Sequence, residues 1–450
     1  MKIRLIAVLL IALFLLPAAA GAQTGSIPPE RMLASYVNAP DPAYKWEKGP
    51  VTPLASATAY DLVLTTQTWH GITWQHLVRI IKPAQVRHPG WMLLFITGGS
   101  GAPTPGQQRG EDAIDLAFAQ AMQAPVATLF TVPNQPLFGD LVEDGIISLT
   151  FANYLQDGDP TWPLLFPMVK SAVRAMDAVQ DYTRQEWGAP VHSFVVTGAS
   201  KRGWTTWLTA CTGDKRVKAI APMVIDTLNF SAQFPYALTL WGHYSEKVTD
   251  YTDKGLTEVF DRAPGRQVWA AVDPYTFRSG LTLPKLMVLG ANDPYWPTGA
   301  LNLYWDGLLA PKYVLYAPNS GHDLDDRQRV FATMGAFFRT VAAGKPLPRI
   351  SWSRQVKGDQ LTLTLTAPAA TGARAWIVKS NSLDFRPQKW QAVPMAGSKG
   401  KFRITLPRSA SKNLAVFGEA DFTADGQPYT LSTQTAILAS APLLRLVNNR

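Results

Sequence analysis

Three residues in this chain of 450 have the types and the order of a catalytic triad for acyl transfer: Ser200, Asp293 and His322. A serine hydroxyl is a weak nucleophile until a neutral imidazole accepts its proton, and the imidazole needs a carboxylate to hold its tautomer. The acid and the histidine follow the serine by 93 and 122 residues. This order is typical of hydrolases whose nucleophile lies on a turn between a strand and a helix. We therefore interpret Ser200 as the nucleophile, His322 as the base and Asp293 as the orienting acid.

The segment around Ser200 has the pattern of such a turn. Residues 193–197 are apolar and rich in β-formers, and residues 202–210 have the pattern of a helix. A sharp turn between them lifts the hydroxyl above the sheet, and the helix N-terminus behind it favours negative charge. The usual pattern is G-x-S-x-G, but here the second glycine, Gly203, comes one residue late. Arg202 occupies the position at which a small residue is expected.

A glycine cluster suggests where an oxyanion would be bound. The apolar run 91–97 predicts a buried strand, and it ends in Gly-Gly-Ser-Gly. Backbone N–H groups at this place form oxyanion holes in related enzymes, although an ordinary loop explains the glycines equally well. We expect the N–H of Lys201 as one donor and that of Gly99 or Ser100 as the second. The Arg202 or Lys201 side chain offers a charge to the oxyanion or to an acidic substrate, and a structural salt bridge from Arg202 is an equal alternative.

Several carboxylates are candidates for the acid of the triad. Asp226 follows the preceding predicted strand, and from there it would reach the same histidine from a neighbouring loop. Asp323 and Asp325 lie next to His322 in the sequence and would act locally. We choose Asp293, with Asp226 as the alternative acid.

Composition argues against several classes of partner. The net charge of the full chain is +9. Lys2 and Arg4 belong to the signal peptide predicted below, and removing them from the 42 basic residues leaves 40 against 33 acidic residues, a net charge of +7. These basic residues are scattered, so nucleic-acid binding is not expected. A single cysteine excludes an internal disulfide. The remaining histidines lack acidic or cysteine neighbours at metal-ligand spacing, so we expect no metal and no cofactor.

The N-terminus has the features of a secretory signal peptide. A positive start is followed by the apolar run Leu5–Leu16 and by a small-residue cleavage site, which predicts a signal peptide over residues 1–22. The apolar run is too short to span a bilayer. We therefore expect an exported protein, periplasmic or secreted, with no stable membrane anchor.

The rest of the chain divides into two predicted domains. Over residues 23–345, strands alternate with helices, which predicts an α/β fold with a mainly parallel sheet. The proline-rich stretch 29–51 is expected to be irregular, and the aromatic insertion 227–278 is expected to be a helical lid or cap. From residue 346 to 450, period-two runs predict a small antiparallel β-sandwich, immunoglobulin-like or fibronectin-III-like. This domain either braces the first or binds a partner or polysaccharide.

Several motifs resemble one known family. They are Gln67-Thr68-Trp69, Trp74-Gln75-His76, Val132-Pro133-Asn134-Gln135-Pro136-Leu137, Trp162–Met168, Ala175-Met176-Asp177, Gly198–Trp204, Ile225–Asn229, Asp273-Pro274-Tyr275, Asn292-Asp293, Asn319–His322, Asp384-Phe385-Arg386 and Trp390. Together they resemble the PhoPQ-activated pathogenicity-related protein family. The resemblance implies an α/β-hydrolase domain with a Ser-Asp-His arrangement, Lys-Arg directly after the serine, and an appended β-sandwich.

These features predict an exported serine hydrolase. It would cleave an ester or amide bond of a small-molecule or peptide substrate through an acyl-enzyme. Esterase and peptidase action use the same machinery, so the sequence leaves both open, as it does the oligomeric state. The alternative is a non-catalytic envelope binding or defence protein on a hydrolase scaffold.

Overall fold

The computed structural model describes residues 27–440 apart from positions 108, 111 and 410. The predicted signal peptide, residues 1–22, lies outside the described residues, so both it and export stay predictions. Among the helices described, none is long and apolar enough to cross a membrane.

A mixed β-sheet forms the centre of the protein. Its strands within the described residues are β1 (Lys45–Pro53), β2 (Ala57–Trp69), β3 (Ile72–Pro83), β4 (Trp91–Ile96), β5 (Val126–Leu129), β6 (Ser193–Ala199), β7 (Val217–Met223), β8 (Lys285–Gly290) and β9 (Lys312–Ala317). They are ordered β1-β2-β3-β5-β4-β6-β7-β8-β9. The pairs from β5 to β9 are parallel, whereas β1, β2 and β3 pair antiparallel with their neighbours. The predicted mainly parallel sheet is therefore confirmed.

Helices cover both faces of this sheet. Within the described residues they are α1 (Pro29–Asn38), α2 (Asp112–Met122), α3 (Asp144–Asp157), α4 (Leu165–Glu186), α5 (Lys201–Cys211), α6 (Phe230–Trp241), α7 (Thr249–Thr252), α8 (Gly265–Val272) and α9 (Arg327–Ala342). The buried strand β4 illustrates why both faces are covered. Met92 and Leu94 belong to the core that includes α4 and α5, whereas Leu93 belongs to the core that includes α2 and α9. A strand that is apolar on both faces needs a helical layer on each side.

The expectation that residues 29–51 are irregular is wrong. Pro29 opens helix α1 at a position where its missing N–H costs nothing, and the helix buries Met32 and Leu33. Strand β1 then pairs with β2, and the register shifts between Lys48 and Val51. The Gly-Pro pair at residues 49–50 falls in this irregularity on an edge strand, where proline is tolerated.

The described residues of the C-terminal part form two antiparallel sheets. Its strands are β10 (Ser351–Lys357), β11 (Gln360–Thr366), β12 (Gly372–Ser380), β13 (Gln391–Pro394), β14 (Ala396–Ser398), β15 (Lys401–Pro407), β16 (Asn413–Ala424), β17 (Gln427–Ser432) and β18 (Ala436–Leu438). One sheet is ordered β10-β11-β15-β14 and the other β13-β12-β16-β17, with β18 also paired to β16. The sheets face each other, because a Cβ placed on Gly418 would lie 3.0 Å from Leu365 Cδ1. The immunoglobulin-like or fibronectin-III-like identity and the boundary at residue 346 stay predictions.

The aromatic insertion between β7 and β8 is helical. It contains α6, α7 and α8 together with short 3-10 turns. Its own aromatic side chains form its core: the Phe230 and Trp269 rings lie 4.8 Å apart, and those of Phe234 and Trp269 lie 5.2 Å apart. The role of this insertion as a lid or cap stays a prediction.

Helix α5 crosses the sheet at Gly203, and we predict that this crossing tolerates no side chain. A Cβ at this position would lie 2.8 Å from the Met223 carbonyl oxygen and 3.0 Å from that of Gly198. Overpacking of this kind costs about 1–3 kcal/mol, which exceeds the gain of about 1 kcal/mol in helix propensity. We therefore expect Gly203→Ala to lower the free energy of unfolding in urea. The matched control is Gly280→Ala, which meets open space; equal effects of the two changes would contradict the prediction.

Candidate active site

Ser200 lies on a strained turn between β6 and α5. Its backbone has φ 58° and ψ −127°, a conformation that costs a non-glycine residue about 1–3 kcal/mol. Two hydrogen bonds hold it: the Ser200 N–H donates to the Met223 carbonyl and the Trp204 N–H donates to the Ser200 carbonyl, each at 2.9 Å. A serine on such a turn after a central parallel strand is the nucleophile-elbow arrangement of α/β-hydrolases.

The structure explains why the second glycine of the elbow comes one residue late. Gly203 is the residue of the helix that packs against the sheet, and the Arg202 side chain extends away from this contact toward Gly98. That side chain passes over Gly98, where an added Cβ would lie 2.6 Å from Arg202 Nη2. Arg202 is therefore accommodated by a glycine at the end of β4 and by the one-residue shift to Gly203.

Asp293 and His322 come together at the ends of β8 and β9. These strands are parallel neighbours, so the loops that follow them leave the same edge of the sheet. His322 Nδ1 lies 2.8 Å from Asp293 Oδ2. The other carboxylate oxygen of Asp293 accepts the N–H of Tyr295 at 2.9 Å. The acid is buried, with 6% of its surface exposed, so this bond is shielded from water.

The second ring nitrogen of His322 is left available. Its Nε2 is buried and has no hydrogen-bond partner among the described residues. His322 and Ser200 line the same cavity, whose volume is about 310 Å³. The Tyr295 ring packs against the imidazole, with ring centroids 4.2 Å apart. The ring is thus oriented by Asp293 and Tyr295, and Nε2 can accept a proton.

The alternative acid, Asp226, is engaged elsewhere. Its Oδ1 accepts the hydroxyl of Tyr304 at 2.7 Å. Burial raises the pKa of Asp226 to about 7, with the bond from Tyr304 opposing this and the charge of Asp293 adding to it. The structure therefore brings Asp293, and not Asp226, into hydrogen-bond contact with His322.

The structure places the expected oxyanion donors in two different surroundings, Lys201 at the start of α5 and Gly99 and Ser100 at exposed positions. Lys201 is the first residue of α5, so its N–H has no partner within the helix. Gly99 and Ser100 are exposed, and the described residues that line the cavity directly after β4 are instead Thr97 and Gly98. The Gly99 carbonyl is held by Gln135 Nε2 at 3.0 Å. The roles of Gly99 and Ser100 as donors stay predictions.

Lys201 and Arg202 are neutralised by two acids that the sequence analysis missed. Both terminal nitrogens of Arg202 donate hydrogen bonds to the carboxylate oxygens of Glu143, each at 2.6 Å. Lys201 Nζ lies 2.7 Å from Glu143 Oε2 and 3.1 Å from Asp144 Oδ2. We call these four residues the elbow charge cluster. A signal was present: two cations at a helix N-terminus are unfavourable with the helix dipole and need acidic partners.

The elbow charge cluster changes the titration of Glu143. Burial by itself raises the pKa of this carboxyl, but Arg202 and Lys201 more than offset this and lower the pKa to about 2. Because the folded-state pKa lies below the ordinary value of 4.5, the charged form of Glu143 stabilises the fold above about pH 4.5. This stabilisation is lost as the pH falls toward 2.

The C-terminal sheets hold the loops that carry the acid and the histidine. Asn292 Nδ2 donates to the carbonyls of Arg386 and Gln388 at 2.9 and 2.7 Å. Asn319 accepts the Trp390 N–H at 2.7 Å and donates to the Trp390 carbonyl at 3.0 Å. Each loop is therefore pinned by the connection between β12 and β13. This contact was not predicted from the sequence.

The residues predicted to be catalytic show no sign of a metal site. Within the described part of the chain, no group of three or more His, Cys, Asp or Glu side chains is arranged to hold a metal ion. The predicted absence of a metal and of a cofactor stays a prediction.

We predict that Glu143→Gln destabilises the protein in a pH-dependent way. The change removes the negative charge that Arg202 and Lys201 share. Breaking a buried ion pair costs about 3–5 kcal/mol. Since 34% of the Glu143 side chain is exposed, we expect about 1–3 kcal/mol. The difference in free energy of unfolding from the unmodified protein should be largest above pH 5 and should shrink toward pH 2.

The control for this prediction is Glu47→Gln. Glu47 pairs with Lys45 at 3.0 Å, but its side chain is 65% exposed, so its removal should cost less than about 1 kcal/mol. A Glu143→Gln effect as small as that of the control, or one that does not vary with pH, would contradict the role of the elbow charge cluster.

Comparison with known proteins identifies the family. The family model described as PhoPQ-activated pathogenicity-related protein matches residues 33–386. Autocrine proliferation repressor protein A of Dictyostelium discoideum is 29% identical over 390 residues, which cover 83% of this chain and 76% of that protein.

Solved structures of similar shape include two esterases. An acetyl xylan esterase from Paenibacillus sp. is 17% identical with a TM-score of 0.46, and the alignment covers 67% of this chain and 92% of that one. Acetyl xylan esterase 1 from Thermoanaerobacterium sp. is 16% identical with a TM-score of 0.45, over 68% of this chain and 91% of that one. The family match, by contrast, extends from residue 33 into the C-terminal sheets. This chain therefore belongs to the PhoPQ-activated pathogenicity-related protein family.

Proposed function

We propose that this protein is an exported serine hydrolase that cleaves an ester or amide bond, peptide bonds included, through an acyl-enzyme. One observation carries the proposal. His322 is held by Asp293 through Nδ1, its Nε2 has no hydrogen-bond partner among the described residues, and its side chain lines the same cavity as the strained Ser200. Export rests on the N-terminal sequence pattern at residues 1–22.

The first half of the reaction forms the acyl-enzyme. Ser200 Oγ attacks the carbonyl carbon of the substrate, and the serine proton moves to His322 Nε2. The resulting oxyanion faces the N-terminus of α5, where the Lys201 N–H lacks a helical partner. Asp293 stabilises the imidazolium that forms. The bond to the leaving group then breaks, and Nε2 returns the proton to the departing oxygen or nitrogen.

The second half releases the acid. A water molecule gives its proton to His322 Nε2 and attacks the acyl carbon, and the same oxyanion site stabilises the charge. The bond to Ser200 Oγ then breaks, and Oγ recovers the proton. No step requires a metal, a redox partner or a cofactor.

The charged side chains beside the serine have a supporting role in this proposal. Arg202 and Lys201 are paired with Glu143 and Asp144, so neither offers an unpaired charge to an acidic substrate. We therefore favour the structural salt bridge for Arg202 over a contact with the oxyanion.

Labelling with a fluorophosphonate probe tests the serine directly. The unmodified protein should label, and Ser200→Ala should abolish labelling. Asp293→Asn should slow labelling by roughly 10³- to 10⁴-fold, because the imidazole loses its correct tautomer. The matched control is Asp226→Asn, which should change the rate only a few-fold, since Asp226 bonds Tyr304 and not His322.

The outcomes separate the candidate functions. A strong loss with Asp226→Asn and none with Asp293→Asn would reverse the assignment of the acid. Absence of labelling in the folded, unmodified protein would overturn the hydrolase proposal in favour of a non-catalytic envelope binding or defence protein.

A further prediction concerns Asn292, which joins the acid loop to the C-terminal sheets. Asn292→Ala removes both bonds to the Arg386 and Gln388 carbonyls and frees the loop next to Asp293. Misplacement of catalytic groups by about 1 Å costs about 100-fold, so we expect labelling to slow by roughly 10- to 100-fold.

The matched control is Asn302→Ala. Asn302 also contacts the C-terminal part, donating to the Thr435 carbonyl at 2.9 Å and accepting from Gln434 at 2.8 Å, but it does not adjoin a catalytic residue. Both variants should lose similar stability, of about 1–3 kcal/mol, and only Asn292→Ala should slow labelling. Equal labelling rates in the two variants would contradict a positioning role for Asn292.

A further inference from the structure

Ser200 lies at the junction of two cavities of different character. The first is narrow, with a volume of about 70 Å³, and is walled by aromatic side chains of α5, α6 and α8, among them Trp204, Phe234 and Trp269. The second is the cavity of about 310 Å³ that contains His322 and opens between α2 and α9. We call them the aromatic cavity and the histidine cavity.

Proton transfer decides which part of a substrate occupies each cavity. In acyl transfer the histidine must reach the heteroatom of the leaving group in order to protonate it. His322 lines the histidine cavity but not the aromatic cavity. The leaving group therefore belongs in the histidine cavity, and the acyl group, on the other side of the carbonyl carbon, belongs in the aromatic cavity.

The size of the aromatic cavity limits the acyl group. An apolar cavity of about 150 Å³ takes up benzene, and the aromatic cavity, at about 70 Å³, has roughly half that volume. Its walls are rings buried against one another, such as Trp204 and Phe230 with centroids 5.2 Å apart. A close-packed wall of this kind does not widen without cost. A benzene-sized or long acyl chain therefore does not fit.

The charge of the aromatic cavity also limits the acyl group. The charged side chains in its wall, Asp144 and Lys201, lie 3.1 Å apart and neutralise each other. The second oxygen of Asp144 accepts the hydroxyl of Tyr251 at 2.9 Å. An anionic or cationic acyl group would meet aromatic surface and an already satisfied ion pair, so its charge would be desolvated without a partner.

We propose that the substrates are esters of short, uncharged aliphatic acids of about two to four carbons, with the larger leaving group in the histidine cavity. This assignment rests on the proposed function, because it requires Ser200 to be acylated. It assigns specificity for the acyl group to the helical insertion and above all to the face of α6 that carries Phe234 and Ala237.

The test is a series of p-nitrophenyl esters in which only the acyl chain varies. For the unmodified protein we expect kcat/KM for the acetate and butyrate to exceed that for the octanoate by at least about tenfold. Ala237→Phe fills the aromatic cavity and should lower kcat/KM for butyrate at least about tenfold more than that for acetate. Phe234→Ala enlarges the cavity and should raise the octanoate-to-acetate ratio at least about tenfold.

The matched control is Leu238→Phe, which adds an aromatic ring next to Ala237 on the same helix but at an exposed position. It should leave the acyl-chain profile unchanged. Fluorophosphonate labelling of every variant is measured in parallel, so that an inactive or unfolded variant is recognised.

The two proposals fail in different ways. Absence of labelling in the unmodified protein overturns the hydrolase function and the acyl assignment with it. Labelling at Ser200 together with an octanoate rate equal to the acetate rate overturns the acyl assignment alone. The same holds if Ala237→Phe and Leu238→Phe change the profile equally, or if labelled protein hydrolyses none of the three esters.

Discussion

The crossing of α5 over β6 and β7 is the constraint on which the rest of the site depends. Gly203 allows the helix to approach the Met223 carbonyl within a distance that no side chain tolerates. This approach holds Ser200 at positive φ, and it also directs the next two residues inward. Since Lys201 and Arg202 are thereby buried, the fold needs Glu143 at their side. A steric condition at one glycine therefore bears on both the backbone strain of Ser200 and the charges behind it.

The geometry of the Asp293–His322 pair depends on a different part of the chain. Asp293 and His322 lie on loops at the ends of neighbouring parallel strands, where backbone pairing with the sheet has ended. The connection between β12 and β13 replaces that support through Asn292 and Asn319. The C-terminal sheets are thus part of what orients the dyad. Of the two roles that the sequence left open for them, bracing has direct contacts in its favour.

The space around Ser200 is bordered by the helical insertion on one side and by helices α2 and α9 on the other. Aromatic side chains of the insertion close one side, while α2 and α9 border the other. His322 lines only the latter cavity, so the presence of one imidazole distinguishes the two sides chemically. Because different helices form the two walls, the proposed selectivity for the acyl group and the proposed exit of the leaving group depend on different parts of the chain.

The sequence by itself determined the order of the three candidate catalytic residues and their places at the ends of strands. Apolar runs that end in Ser200, Asp293 and His322 identify three parallel strands, since such runs must be buried on both faces and polar residues gather at their ends. The period-two runs of the C-terminal part likewise predicted its antiparallel strands. Proline content concealed helix α1, because proline opens a helix as readily as it marks a loop.

Only the tertiary structure decided which residues meet. It placed Asp293 rather than Asp226 against His322, left Gly99 and Ser100 exposed, and brought Glu143 to the elbow. These outcomes depend on distances between segments far apart in the chain. Local pattern records whether a residue lies on a strand, a helix or a turn, whereas such distances are set by packing of side chains across the whole core.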